Sequence, residues 1–81
     1  MVRELAGYGP ILRYERELRG WSQYELVKRI LDLCAIDGEY PTLDVKTVGR
    51  WEWGKHRPSP YYRKRLCQLF GRDARELGFI K

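Results

Sequence analysis

Apolar residues along this 81-residue chain recur at helical spacing. Ile11, Leu12, Tyr14 and Leu18 form one such set between Gly9-Pro10 and Gly20. A proline suits the first turn of a helix, where its missing N–H has no partner to lose. Ser22-Gln23-Tyr24-Glu25 then has the form of a capping box, with the serine oxygen facing the Glu25 N–H and the carboxylate reaching back. Leu26, Val27, Ile30, Leu31 and Cys34 fall on one face of the second helix, which is predicted to end near Asp37-Gly38. Pro41 disfavours helix at Tyr40, so residues 38–43 read as a loop.

Asp44 or Thr42 can cap a third helix that turns Val48 and Trp51 inward and runs to Trp53, with Gly54 as its stop. Ser59-Pro60 is a further start signal. Tyr62, Leu66, Leu69 and Phe70 follow at i, i+4, i+7 and i+8 up to Gly71. Asp73-Ala74-Arg75-Glu76 offers a second capping box for a short fifth helix ending at Leu77-Gly78-Phe79. No β alternation competes. The expected fold is all-α, a compact five-helix bundle in which residues 1–81 make one domain.

The length suits one small core. No apolar run approaches the roughly 18 residues needed to span a bilayer, and the N-terminus lacks a signal-peptide core. The expectation is a soluble, cytoplasmic protein. Cys34 and Cys67 lie far apart, the first on an apolar stripe and the second beside one, so both read as buried free thiols. With His56 alone, they make no metal site. Neither a Ser/His/Asp nor a Cys/His constellation stands out, nor a glycine-rich phosphate loop. Glu15, Glu17 and Glu25 fall on predicted helix surfaces as solvated charges. The chain reads as a non-enzyme, with no cofactor and no small-molecule ligand in this domain.

Charge changes the picture, because it is concentrated. Residues 1–43 carry six Lys/Arg against seven Asp/Glu, a net of −1. Residues 44–65 carry seven (Lys46, Arg50, Lys55, Arg57, Arg63, Lys64, Arg65) against Asp44 and Glu52, a net of +5, and residues 66–81 add +1. A solvated basic face would explain a charge run alone. Here the run coincides with a helix that offers Lys46, Thr47, Gly49, Arg50 and Trp53 outward and leaves through Lys55, His56 and Arg57. That combination points to a polyanion, and to the major groove of DNA above all.

These residues carry a family resemblance. Leu12-Arg13, Arg16, Gly20-Trp21-Ser22-Gln23, Glu25-Leu26, Thr47-Val48, Arg50-Trp51-Glu52, Gly54, Arg57-Pro58 and Leu77-Gly78 together resemble the phage-repressor helix-turn-helix domain, the Cro-like or XRE type. The resemblance covers nearly the whole chain in order. It implies a lambda-repressor-like domain of five helices, whose second and third form the reading unit, usually acting as a dimer. A symmetric dimer would meet half-sites about 34 Å apart. One departure is plain: Gln23 and Trp51 stand 28 positions apart, more than in the family, with the extra residues between about Leu31 and Thr42. This insertion is acidic through Asp32, Asp37 and Glu39, which argues against its entering a groove. It can be inert, add a backbone phosphate contact, or serve as a protein contact.

The resemblance implies base contacts from Asp44, Val45, Lys46, Thr47, Gly49 and Arg50. Lys46 or Arg50 can donate to guanine, Val45 can meet a thymine methyl, and Asp44 can accept from cytosine or simply cap the helix. Gln23 is either a phosphate ligand or a good first-turn residue. Lys55, His56, Arg57, Ser59, Arg63 and Lys64 read as phosphate contacts. Arg65 is less certain by helical phase. Trp53 and Tyr61 can lie against the sugar-phosphate backbone or pack over the domain's own loop. Trp21 and Trp51 are assigned to the core. Arg16 and Glu52 match an internal ion pair of the family.

The leading expectation is therefore sequence-specific double-stranded DNA binding and transcription regulation, with homodimerisation open. The alternatives are a protein-interaction module reusing the fold and a nonspecific nucleic-acid binder. The chain can be a whole small regulator or the N-terminal domain of a longer protein.

Overall fold

The computed structural model describes residues 7–81, and within them the chain is helical without strands. Four helices follow in order: α1 (Tyr8–Leu18), α2 (Gln23–Ile36), α3 (Val45–Glu52) and α4 (Pro60–Phe70). Helix α3 packs on both α1 and α2, while α4 packs on α2. Their inner faces close over Leu12, Leu26, Val27, Ile30, Cys34, Leu43, Val48, Trp51, Leu66 and Phe70, and the C-terminal segment adds Leu77 and Phe79.

The local signals explain most boundaries. Ser22 Oγ accepts from the Glu25 N–H at 3.0 Å, and the Ser22 N–H reaches the Glu25 carboxylate, completing the box at the start of α2. Asp44 caps α3, accepting from the Thr47 N–H at 2.8 Å. Ser59 precedes Pro60 at the start of α4 but makes no side-chain capping bond. Proline's fixed φ starts that helix without one.

The structure departs from five of the expectations above. The segment after α4 is a set of turns, not a fifth helix. Its capping box does form, with Asp73 and Glu76 exchanging backbone-to-carboxylate bonds of 3.0 and 2.7 Å. Yet the chain closes on itself at once through Leu77 N–H to Asp73 O and Phe79 N–H to Ala74 O. One turn cannot offset the cost of helix nucleation, and burial of Leu77 and Phe79 sets its conformation instead.

The inward stripe of α1 is also different. Tyr14 and Leu18 are exposed, whereas Glu15 is buried with Gly9 and Leu12. Glu15 is no solvated charge: it receives Arg19 Nη1 at 2.8 Å and lies 3.6 Å from Arg72 Nε. Arg19 also donates to the Phe70 carbonyl and stacks over the Phe70 ring. A carboxylate that meets two cations from its own helix and the tail can be buried where apolar periodicity would place a leucine. Trp21 is half-buried rather than central, lying against Phe70 with the Arg29 guanidinium over its own ring. Cys34 is buried and Cys67 half-buried, both free.

Gly9 holds α1 and α3 together. A Cβ there would lie 2.6 Å from the Glu52 carbonyl oxygen and 2.9 Å from that of Trp51. Both obstacles are backbone, so the helices must separate to admit a methyl group. Gly9→Ala is expected to destabilise the domain by about 1–3 kcal/mol, the usual range for overpacking, despite alanine's better helix propensity. Urea denaturation of the variant checks this.

Candidate nucleic-acid interface

Helix α3 has two distinct faces. Val48, Trp51 and Glu52 are buried, and opposite them Lys46, Gly49, Arg50 and Trp53 lie at i, i+3, i+4 and i+7, one continuous outer stripe. Trp53, the C-cap residue, is 76% exposed. Val45 is exposed at the edge of the stripe and Thr47 half-buried at the other. A Cβ at Gly49 would touch only the Gln23 amide, at 3.9 Å. The glycine therefore answers no packing need.

The inner face is fixed by charge as much as by apolar contact. Arg16 grips Glu52 with two bonds, Nε to Oε2 at 2.6 Å and Nη2 to Oε1 at 2.9 Å, and its Nη1 donates to the Trp21 carbonyl at 2.8 Å. Gln23 Nε2 adds a bond of 3.1 Å to Glu52 Oε1. Three helices meet there: the last turn of α1, the start of α2 and the end of α3. The Glu52 hydrogen bond raises the Arg16 guanidinium further above its ordinary value, against the opposing effect of burial. Of the two readings of Gln23, these contacts favour the structural one, because its amide is turned toward Glu52.

The chain leaves α3 through a tight reversal. The Gly54 N–H bonds to the Trp51 carbonyl and the Lys55 N–H to that of Arg50, with Gly54 at φ 73°. This is the left-handed closure that glycine makes without a Cβ penalty. It sends Lys55 and His56 into solvent directly behind the outer stripe, and then buries Pro58.

The other phosphate candidates are divided. Arg57 is exposed, but its Nη2 donates to the Phe79 carbonyl and ties the exit loop to the C-terminal tail. Tyr61 packs over the domain's own loop, its hydroxyl donating to Glu39 at 2.7 Å. Ser59 is exposed at the start of α4. Arg63 is half-buried with its Nε unpartnered, and Lys64 is exposed. Successive helical residues point about 100° apart, so Arg63 and Lys64 do not share a face.

Asp44 bears on both of its proposed roles. Its Oδ1 accepts from the Thr47 N–H and, at 2.8 Å, from the Thr47 hydroxyl. Those bonds hold the carboxyl below its ordinary pKa. Capping thus engages Asp44 and the Thr47 hydroxyl together.

Arg65 carries no outward charge. It is 6% exposed, bonded to Asp37 at 2.7 Å and to Glu39. Helical phase left it undecided in the sequence. The signal for its role lay elsewhere, in two carboxylates at the C-terminal end of α2, where the helix dipole disfavours them. Lys46, Arg50, Lys55 and Lys64 form no ion pair among the described residues, whereas Arg13, Arg16, Arg19, Arg65 and Arg72 all do.

Comparison with protein-family models, with curated proteins and with solved structures finds no match to this chain.

Two variants test the scaffold of this face. Glu52→Ala strips Arg16 of its partner and is expected to cost about 3–5 kcal/mol, read as a lower denaturation midpoint. Asp44→Ala lowers the thermal midpoint at neutral pH. Because the folded carboxyl titrates below its unfolded value, its contribution is complete above the ordinary carboxylate range and lost as pH falls through the lowered value. The gap between variant and parent therefore closes on acidification, followed by thermal melts from pH 7 to pH 2.

Proposed function

We propose that the chain is a phage-repressor-like helix-turn-helix domain that binds specific duplex DNA sequences and regulates transcription, with α3 lying in the major groove. The observation that carries this reading is the outer stripe of α3. Among the described residues, Lys46 and Arg50 stand without ion-pair partners on a short helix whose opposite face is held by Val48, Trp51 and the Arg16–Glu52 bond. A rigidly held helix with free donors fits direct base readout. Gly49 between them lets the helix backbone approach a groove wall.

In this reading Lys46 and Arg50 read base edges, Val45 offers an apolar contact, and Lys55, His56 and Lys64 meet phosphates. Asp44 and Thr47 shape the N-terminus of α3. Gln23 acts chiefly by holding Glu52, with the N-terminal turn of α2 near a phosphate. Trp53 is free to lie along the sugar-phosphate backbone. A homodimer on an inverted repeat accords with the family resemblance.

A second reading, a protein-docking module, is favoured by one observation. Ile36, at the end of α2, and Tyr40, on the acidic connection that follows it, are 80% and 82% exposed. The two readings separate cleanly by experiment.

Selection of bound duplexes from a random library at about 150 mM salt, which suppresses nonspecific binding, is expected to enrich a motif. Lys46→Ala with Arg50→Ala should abolish that preference while leaving weak general affinity. Lys55→Ala should weaken all sequences alike and reduce the salt slope by about one. No enrichment, with affinity that collapses as salt rises, would remove sequence readout. A partner protein captured through Ile36 and Tyr40, indifferent to Lys46 and Arg50, would favour docking.

A further inference from the structure

The connection between α2 and α3, residues 37–44, ends in the cap of the helix proposed to read DNA, and α4 holds it at three points. Arg65 Nη1 donates to Asp37 Oδ2 at 2.7 Å and to Gln68 at 3.1 Å, while Nη2 donates to Glu39. The Tyr61 hydroxyl donates to the same Glu39 carboxylate, and its ring lies 5.3 Å from the guanidinium. Farther along, the Tyr62 hydroxyl donates to the Thr42 carbonyl. Leu43 then enters the core, and Asp44 caps α3.

Without Arg65, Asp37 and Glu39 would stand at the negative end of α2 with only the Tyr61 hydroxyl, on Glu39, to offset them. The forked guanidinium meets both carboxylates at once, which a lysine cannot do in one geometry. Tyr62 also packs on Trp51, its ring centroid 5.4 Å away, so α4 reaches α3 from its buried side as well as through the loop.

We propose that Arg65 is a positioning residue for α3: by clamping Asp37 and Glu39 it fixes the long connection and hence the placement from which Lys46 and Arg50 are presented. This rests on the DNA-binding reading for its consequence, but the clamp itself is measurable without DNA. It gives the acidic insertion a task other than contact with DNA or with a partner protein.

The test uses Arg65→Lys, with Asp37→Asn/Glu39→Gln as a second variant. Those two carboxylates are about half exposed, so neutralising them leaves the core untouched if Arg65→Lys fails to fold. Amide hydrogen exchange is measured over residues 38–44, and affinity is measured for both the selected duplex and a scrambled one. The expected result is faster exchange in that segment with helical circular dichroism retained. The ratio of specific to scrambled affinity should fall about tenfold, within the usual range of coupling between separate sites. Simple electrostatics makes the opposite demand on the double variant: removing two negative charges should raise both affinities together and leave the ratio alone.

Exchange unchanged over residues 38–44 in the folded variants would overturn the clamp. So would faster exchange with an unchanged ratio. If the parent protein enriches no duplex yet the exchange result holds, the clamp stands and the DNA reading falls.

Discussion

Everything about the outer face of α3 depends on the grip of Arg16 on Glu52. The glutamate sits at the last residue of α3, nearly enclosed, and Arg16 approaches it from α1 with a fork of two bonds while holding the Trp21 carbonyl with a third. A buried carboxylate with one loose partner would be a liability, but here its oxygens also receive Gln23. The ion pair works as a three-way joint. It sets the roll of α3 about its own axis, and that roll decides that Lys46, Arg50 and Trp53 face outward while Val48 and Trp51 do not. Apolar contact alone would tolerate several rolls; a bidentate pair with a fixed plane tolerates few.

The arginines outside that joint follow a similar logic. Arg19 and Arg72 serve Glu15, Arg65 serves Asp37 and Glu39, and Arg57 holds a tail carbonyl. Lysine is spared these duties: Lys46, Lys55 and Lys64 stay exposed. This division matches the chemistry of the two side chains, since the planar guanidinium suits partly enclosed forks and the ammonium suits water and diffuse anionic fields. The basic block at 44–65 is consequently less uniform than its formal charge suggests. Its usable cations concentrate on α3 and the loop behind it.

Chain punctuation was legible from the sequence. Ser22 with Glu25, Asp44, Pro60, and glycines 20, 38, 54 and 71 marked the helix ends because capping and left-handed closure are local chemistry, written in a few adjacent residues. The Arg16–Glu52 joint was also anticipated, through family resemblance and not through spacing. What stayed hidden was long-range. Glu15 is buried against Arg72, which arrives from beyond α4, as well as against Arg19. The close approach at Gly9 requires the carbonyls of Trp51 and Glu52. The inward turn of Arg65 requires the carboxylates that follow α2. Periodicity placed Tyr14 and Leu18 inside because it counts apolar residues without knowing which neighbours will come. The fifth helix failed for a related reason: its capping signal is intact, but tertiary burial of Leu77 and Phe79 leaves no length for propagation.

Gly49 has an implication for how such a chain changes over generations. Its surroundings would accept a methyl group, with the Gln23 amide at ordinary contact distance, and alanine is worth about 1 kcal/mol more than glycine inside a helix. A domain drifting under selection for stability alone has that gain one substitution away. On a helix of only eight residues, glycine at this position leaves that stability unused. The missing methyl leaves a notch between Lys46 and Trp53, and under the proposed reading it is the place where α3 comes nearest to a groove wall.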